Sequence, residues 1–472
     1  MTDIKNICIT EDKSIKEAMN VIDHGGLRIA FVVDQEKKFI GLATAGDIRR
    51  AIMNGAKLNT MIKEIMNTSP LVIKKEKYGK KFEEFFNTEE AKKKLSKLEI
   101  IRIPVLDKEK KIVDVIIASQ GFYESYQDSD LGNKSSISRP VNKVLVIGGA
   151  GYLGSVLTKK LLDRGYTVRV LDNLTYGDYG IKDLASYPKF EFVKGDMRDI
   201  HTVVKAVKNI DAVVHLAAIV GDPASALDPE ETIEVNYLGT KMLGEVCKYS
   251  QINRFIFAST CSVYGASPTP DTKIDEKSQL NPVSLYAEMK LKSEQALLEL
   301  ADENFSPTIL RMATLYGLSP RMRFDLVVNI LTIKAIKEKK YNIYGGQQWR
   351  PILHVDDAAE AYIACLEKPL KLIKKEIFNT GGKNENYRII EIGKVVKKVI
   401  PSAEMSVDAA DVDRRNYNVS FDKIRKNLNY ITKYTVLDGV EEIKKAAEKN
   451  MFNDYTNPRY NNYKFLQESN FS

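Results

Sequence analysis

Tyr286 and Lys290 stand four residues apart in the run Tyr286-Ala287-Glu288-Met289-Lys290. On a helix that spacing is about one turn, so both side chains share a face about 6 Å apart along the axis. An ammonium beside a phenol favours the phenolate and draws the phenol below its ordinary pKa of about 10. The spacing therefore predicts a phenol that works as a general base near neutral pH. A hydroxyl able to bond the same substrate oxygen stands upstream at Thr260, within Ser259-Thr260-Cys261-Ser262.

The second constellation is Gly148-Gly149-Ala150-Gly151-Tyr152-Leu153-Gly154, with Gly148, Gly151 and Gly154 spaced GxxGxxG. It leaves an apolar run at 144–147 and enters a helical pattern. In that context backbone N–H groups and a helix N-terminus hold a pyrophosphate. The next apolar run ends in Asp172, 172 − 154 = 18 residues past the last glycine. A carboxylate there accepts from ribose hydroxyls and repels a 2′-phosphate, which favours NAD over NADP. Gly195-Asp196-Met197 closes the third run, where a side chain meets the adenine edge. Tyr286 follows 286 − 154 = 132 residues after the glycine turn.

These groups need elements that bring strand ends together. Strand-like runs at 144–147, 167–172, 190–195, 211–218, 254–260 and 308–315 alternate with helical stretches. The helix at 152–164 carries Leu153, Val156, Leu157 and Leu161 on one stripe and stops at Gly165. Strands alternating with helices predict an α/β fold with a doubly wound parallel sheet. Residues 1–122 hold a weak internal repeat. A helix at 14–22, strands at 29–33 and 39–43 and a helix at 47–53 are followed by a helix at 80–98 and strands at 103–106 and 112–118. Residues 123–142 are polar and Ser-rich, the composition of a linker. The main unit spans 143–450, and 451–472 forms a polar, aromatic tail with no assignment.

The 472 residues are 44% hydrophobic and 28% charged, an ordinary globular composition that excludes a disordered, collagenous or disulfide-stapled chain. No apolar run is long enough to span a bilayer, so no membrane role is expected. Residues 1–12 carry four charges and no apolar core, unlike a secretory signal. Four cysteines, none in a CxxC pair, predict a reducing, cytoplasmic setting and no zinc ribbon. The net charge of +8, from 71 basic and 63 acidic residues, reads as solvated surface and not as a nucleic-acid footprint. His24, His201, His215 and His354 lie far apart, and no metal site is expected.

Two resemblances add to this. Gly41-Leu42-Ala43-Thr44-Ala45-Gly46-Asp47, between a strand and a helix, makes residues 1–122 similar to a pair of cystathionine-β-synthase (CBS) domains, an α+β module. The resemblance implies that Thr44 and Asp47 hold the ribose and phosphates of a regulatory adenine nucleotide. The other reading of Asp47 is a helix cap. Ser119 and Phe122 replace Thr and Asp in the second half, so one site at most is competent.

Residues 143 to about 445 resemble an extended short-chain dehydrogenase/reductase of the NAD-dependent nucleotide-sugar epimerase/dehydratase family. Matching segments include His215-Leu216-Ala217-Ala218, Glu234-Val235-Asn236, the turn at 260–265 and Arg350-Pro351-Ile352-Leu353-His354-Val355-Asp356-Asp357. The resemblance implies a Rossmann sheet with a smaller C-terminal substrate domain. Tyr286 is then the base, Lys290 orients the cofactor ribose, and Thr260 is the hydroxyl partner. Tyr152, Leu153, Asn173, Asp196, Met197 and Ala217 join the glycines and Asp172 around NAD. Arg350 with Arg414 or Arg415 clamps the diphosphate of the nucleotide sugar, a task suited to guanidinium forks. The loop at 220–229 and the segment at 316–324 line the sugar and base pockets. Helices at 231–249 and 285–300 form a homodimer interface.

One departure bears on the reaction. The 4,6-dehydratases of this family carry an Asp-Glu pair after the Thr, where this chain has Cys261 and Ser262. Cys261 is either an acid–base group or a packed thiol. The expectation is a 4-epimerase acting by transient C4 oxidation. A 4,6-dehydratase or net oxidoreductase is the nearest alternative, and a non-catalytic NAD- and adenylate-sensing protein is the alternative of another class.

Overall fold

A computed structural model of the chain describes residues 4–24, 29–77, 101–119, 122–127, 141–266, 271–302, 305–382, 384–409 and 415–469. Two compact units emerge, Met1–Ser138 and Arg139–Ser472.

The first unit repeats one small sheet. Cys8–Thr10 runs parallel to Ile29–Val33, which pairs antiparallel with Phe39–Thr44. Ile73–Lys74 runs parallel to Ile101–Leu106, which pairs antiparallel with Ile112–Ser119. Both hairpins turn on the same device. Asp34 accepts from the N–H groups of Glu36 and Lys38, and Asp107 accepts from those of Glu109 and Lys111. Lys37 and Lys110 both take φ 65°. The second half then departs from the first. Phe122–Gln127 folds back antiparallel on Ile112–Ser119 instead of opening a helix. The stretch that composition marks as linker thus begins inside a strand, whose aromatic residues favour extended backbone. The helix expected at 80–98 lies outside the described residues.

The second unit is built on a seven-stranded parallel sheet. Its strands are β1 (Lys143–Ile147), β2 (Thr167–Asp172), β3 (Phe190–Lys194), β4 (Ala212–His215), β5 (Arg254–Thr260), β6 (Ser306–Met312) and β7 (Ile377–Thr380). Their order is β3-β2-β1-β4-β5-β6-β7, so the winding reverses between β1 and β4. That reversal opens a crevice outside the carboxyl ends of the strands. Alternate side chains of β1 feed two cores: Val144 and Val146 pack on one face, Leu145 and Ile147 on the other. Burial on both faces explains why the strand reads as an unbroken apolar run. Among the helices are α1 (Tyr152–Asp163), α2 (Thr240–Tyr249), α3 (Leu285–Glu299), α4 (Val327–Lys337) and α5 (Asn462–Ser469). The helix α1 ends as Gly165, at φ +87°, returns its N–H to the Leu162 carbonyl.

The run expected as one strand at 308–315 is divided. β6 stays in the large sheet, whereas Thr314–Tyr316 pairs with Trp349–His354 in a separate three-stranded sheet. That sheet, the pair Lys340–Tyr344 and Glu404–Asp408, and α4 form a smaller part with a core of its own. The tail is also structured. The Phe324 N–H donates to the Tyr460 carbonyl at 2.7 Å, and the Phe324 ring meets Phe452 edge-on. No helix among the described residues is long and apolar enough to cross a membrane.

Candidate active site

A cavity of about 690 Å³ opens at the carboxyl ends of the strands. The glycine turn forms its first wall. Gly148 leaves β1 at φ +83°, and a Cβ there would lie 2.6 Å from the Ala217 nitrogen. A Cβ on Gly154 would lie 2.1 Å from the Gly148 carbonyl oxygen. Only glycine lets strand, turn and helix close this tightly. Gly151 caps α1 without a side chain, so the first N–H groups of the helix face the cavity unobstructed.

Asp172 closes β2 beside this turn. Its carboxylate accepts from the Ala150 and Leu174 N–H groups, each at 2.9 Å, and burial pushes it above the usual carboxylate range. A carboxylate has about four acceptor positions, so two remain for ribose hydroxyls. Asp196 is held by the Arg198 guanidinium at 2.8 Å and the Asn173 amide at 3.4 Å; Arg198 holds it below the usual range. Tyr152, Leu153, Met197 and Ala217 line the same wall. A backbone cradle, a helix N-terminus and a strand-end acid together fit a dinucleotide.

The opposite wall carries the catalytic candidates. Ser284 caps α3 by accepting from the Ala287 N–H, which sets Tyr286 in the first turn and Lys290 one turn on. Thr260, the last residue of β5, bonds the Tyr286 phenol and accepts from the Ser262 N–H at 3.1 Å. All three line the cavity. Their electrostatics differ from the expectation. Burial, then Asp222, pushes the phenol up; Arg323 and the Thr260 bond pull the other way. Lys290 is only 2% exposed, and burial brings its ammonium down to about 7. Its Nζ donates to the Ala258 carbonyl at 2.8 Å and lies 4.7 Å from the Phe257 ring centre. Desolvation, absent from any spacing argument, is the largest influence on both groups.

Cys261 resolves toward packing. It is 1% exposed, its thiol donates to the Arg311 carbonyl at 3.2 Å, and burial pushes the thiol up. Ser262 meets the Tyr417 hydroxyl at 3.3 Å. Arg350 donates to the Trp349 and Arg415 carbonyls and lies over the Tyr417 ring. Arg415 pairs with Asp222 at 3.1 Å across the cleft. Both arginines line the cavity; Arg414 lies outside the described residues. His215 bonds Thr240, and His354 bonds Glu442 while capping a helix. Among the described residues, no group of three or more His, Cys, Asp or Glu side chains is placed to hold a metal.

Residue-type reasoning missed two features here. Within the flagged segment at 316–324, Arg321 and Arg323 are buried and line the cavity, and Arg323 is paired with Asp325 at 2.9 Å. The signal was the alternation of charges with Met322 and Phe324 in one buried run. The tail also reaches the site: Asn462 and Leu466 line the cavity, and Asn462 donates to the Val220 carbonyl. In the first unit, Thr44 caps the helix Ala45–Met53, and Asp47 closes a capping box with it while pairing with Arg50.

Residues 144–381 match the family model of the NAD dependent epimerase/dehydratase family, and residues 1–54 match the CBS domain model. A UDP-glucose 4-epimerase of Lactobacillus helveticus is 32% identical over 276 residues, 54% of this chain and 81% of that protein. UDP-glucuronic acid decarboxylase 1 of Arabidopsis thaliana is 30% identical over 331 residues, 67% of this chain and 72% of that protein. A solved UDP-glucuronic acid 4-epimerase from Bacillus cereus, in complex with UDP-glucuronic acid and NAD, aligns with a TM-score of 0.57. It is 29% identical, with 64% of this chain and 99% of that chain covered.

Proposed function

This chain belongs to the NAD dependent epimerase/dehydratase family and carries a CBS domain at its N-terminus, and from that premise we propose that it is a nucleotide-sugar 4-epimerase with NAD as its cofactor. When bound, NAD supplies the acceptor and later donor of a hydride, together with a positive charge in the cleft. Tyr286 takes the proton from the C4 hydroxyl and later returns one. The Thr260 hydroxyl bonds the same oxygen and keeps the phenol aimed at it. The Lys290 ammonium donates one hydrogen bond to the Ala258 carbonyl, which leaves its other two N–H groups for a ribose hydroxyl and the phenol. Arg350, Arg415 and Arg414 take the diphosphate; Arg415 exchanges Asp222 for it.

The observation that favours epimerisation over dehydration is the pair after Thr260. Moving protons at C5 and C6 calls for a carboxylate, and Cys261 and Ser262 are both engaged in the core. The Ser284 hydroxyl at the start of α3 holds Asp222, also after Arg415 has left it, and Arg323 holds Asp325. Product analysis by mass spectrometry and NMR, across UDP-, GDP-, CDP- and dTDP-hexoses, tests the reading. It expects a C4 epimer of unchanged mass. A 4-keto-6-deoxy product decides for the dehydratase.

The CBS unit regulates the enzyme through an adenine nucleotide at Thr44 and Asp47 in this proposal. The reading fails if AMP, ADP and ATP neither bind nor change the kinetics, or if Asp47→Ala leaves such effects intact. A homodimer formed through α2, α3 and the helical segment before α2 is supported by the exposure of Leu238 and Tyr249. A monomeric mass in sedimentation would end that part.

A further inference from the structure

Asn462, the first residue of α5, is 4% exposed and lines the cavity, yet its side-chain Oδ1 has no hydrogen-bond partner among the described residues. Its other polar groups are engaged. The backbone N–H donates to the Asp325 carboxylate at 3.0 Å, and Nδ2 donates to the Val220 carbonyl at 3.4 Å. A carbonyl accepts only from a donor, so the amide nitrogen must face Val220 and the oxygen is the atom left over. A buried acceptor is unfavourable until a donor meets it.

The sheet order says what lies beneath the tail. β2 and β4 flank β1 on its two sides, and the glycine turn leaves β1. The tail grips the loop after β2. Phe465 packs its ring 5.5 Å from that of Tyr176, and the Arg459 guanidinium lies 5.3 Å from the Tyr179 ring centre. It also grips the loop after β4, through Val220 and through the packing of α5 on the short helix Asp222–Leu227. A segment that holds both loops spans the glycine turn between them. Leu466, one turn on from Asn462, lines the cavity with it. The tail lies outside the residues 144–381 that match the family model, so that match assigns it no role.

We infer that the tail is a wall of the dinucleotide site: it closes over the bound cofactor, and Asn462 Oδ1 accepts a hydrogen bond from it. This rests on the NAD reading above. The partner is a ribose hydroxyl or an amide or amino N–H, since an ionised pyrophosphate has no donor. An enzyme that returns its hydride must keep its cofactor through turnover, and a tail that has to lift before release slows that release. A nucleotide sugar also offers hydroxyl donors, so the test separates the two sources. It uses the cofactor-stripped full chain as wild type, as Asn462→Ala and as Phe465→Ala, beside a chain ended at Asn461. NADH is titrated and its release timed by fluorescence, and UDP is titrated calorimetrically. Loss of one neutral hydrogen bond lowers affinity about 3- to 10-fold. Asn462→Ala is expected to weaken NADH by that much. Phe465→Ala and the shortened chain are expected to release NADH about tenfold faster or more. UDP affinity is expected to stay at the wild-type value in all three. The cofactor-free variants are expected to melt near the wild type, because Phe452 and Tyr460, the buried rings of the tail, remain. Wild-type NADH affinity and release in all three variants overturn the assignment. A loss confined to UDP moves the tail to the substrate and overturns it too. Equal losses of NADH and UDP with a lowered melting temperature overturn it in favour of a role in the fold. A wild type that binds no NADH overturns the cofactor reading itself.

Discussion

Lys290 is held in the fold at a cost, and the cost has a pH signature. Its ammonium falls from 10.5 to about 7 because burial penalises the charged form. The separation of about 3.5 pH units, at about 1.4 kcal/mol each, sets a ceiling near 5 kcal/mol. The sign follows from proton counts. Between pH 7 and pH 10.5 the unfolded amine keeps its proton while the folded one sheds it. The unfolded state binds more protons there, so stability rises with pH through that window, and the full penalty is present below about 7. Lys290→Met keeps the stem and removes the charge. It also leaves the Ala258 carbonyl without its donor, which costs about 1–3 kcal/mol. The variant is therefore expected to be more stable than wild type at pH 6 by about 2–4 kcal/mol, although catalytically dead. That advantage shrinks by about 2.5 kcal/mol at pH 9, two pH units above the folded value. Urea unfolding reports it through Trp349, the one tryptophan of the chain, which lies in the catalytic unit. A difference between variant and wild type that stays constant from pH 6 to pH 9 refutes the desolvated ammonium.

Other outcomes follow from the same geometry. Tyr286→Phe should lower turnover about 10²- to 10⁴-fold while NAD affinity, read by fluorescence titration, is retained; full activity removes the phenol from the chemistry. Gly154→Ala places a Cβ 2.1 Å from the Gly148 carbonyl oxygen and should abolish NAD binding; wild-type affinity in that variant contradicts the close-packed turn. Arg415→Ala should raise KM for the nucleotide sugar about tenfold or more with little change in kcat, and an unchanged KM removes it from the clamp.

Strand ends were the legible part of this chain. β2 and β5 run from 167–172 and 254–260, as the sequence suggests, because each has a buried apolar centre (Val168, Val170 and Leu171; Phe255, Ile256 and Phe257) between polar ends. Glycine spacing located the turn because each close approach excludes a Cβ. The electrostatics of Tyr286 and Lys290 were not legible, since desolvation depends on what packs around a side chain and not on its neighbours in sequence. Arg321 was hidden for a related reason: sequence shows two arginines and one aspartate, and only packing shows which arginine the aspartate takes. The tail defied assignment because its aromatic residues dock on Phe324 and Tyr176, contacts that span more than 100 positions. The hairpin strand Phe122–Gln127 was obscured because its sequence runs without a break into the polar, Ser-rich stretch that follows.

The central proposition is that one hydrogen leaves C4 and returns to the same sugar inside a closed cleft lined by Tyr286, Thr260 and Lys290. UDP-glucose deuterated at C4, incubated with the purified chain, tests it directly. The expected result is a C4 epimer that keeps its deuterium, with no net reduced cofactor accumulating. Deuterium lost to solvent, or stoichiometric oxidised product alongside free reduced cofactor, would contradict it.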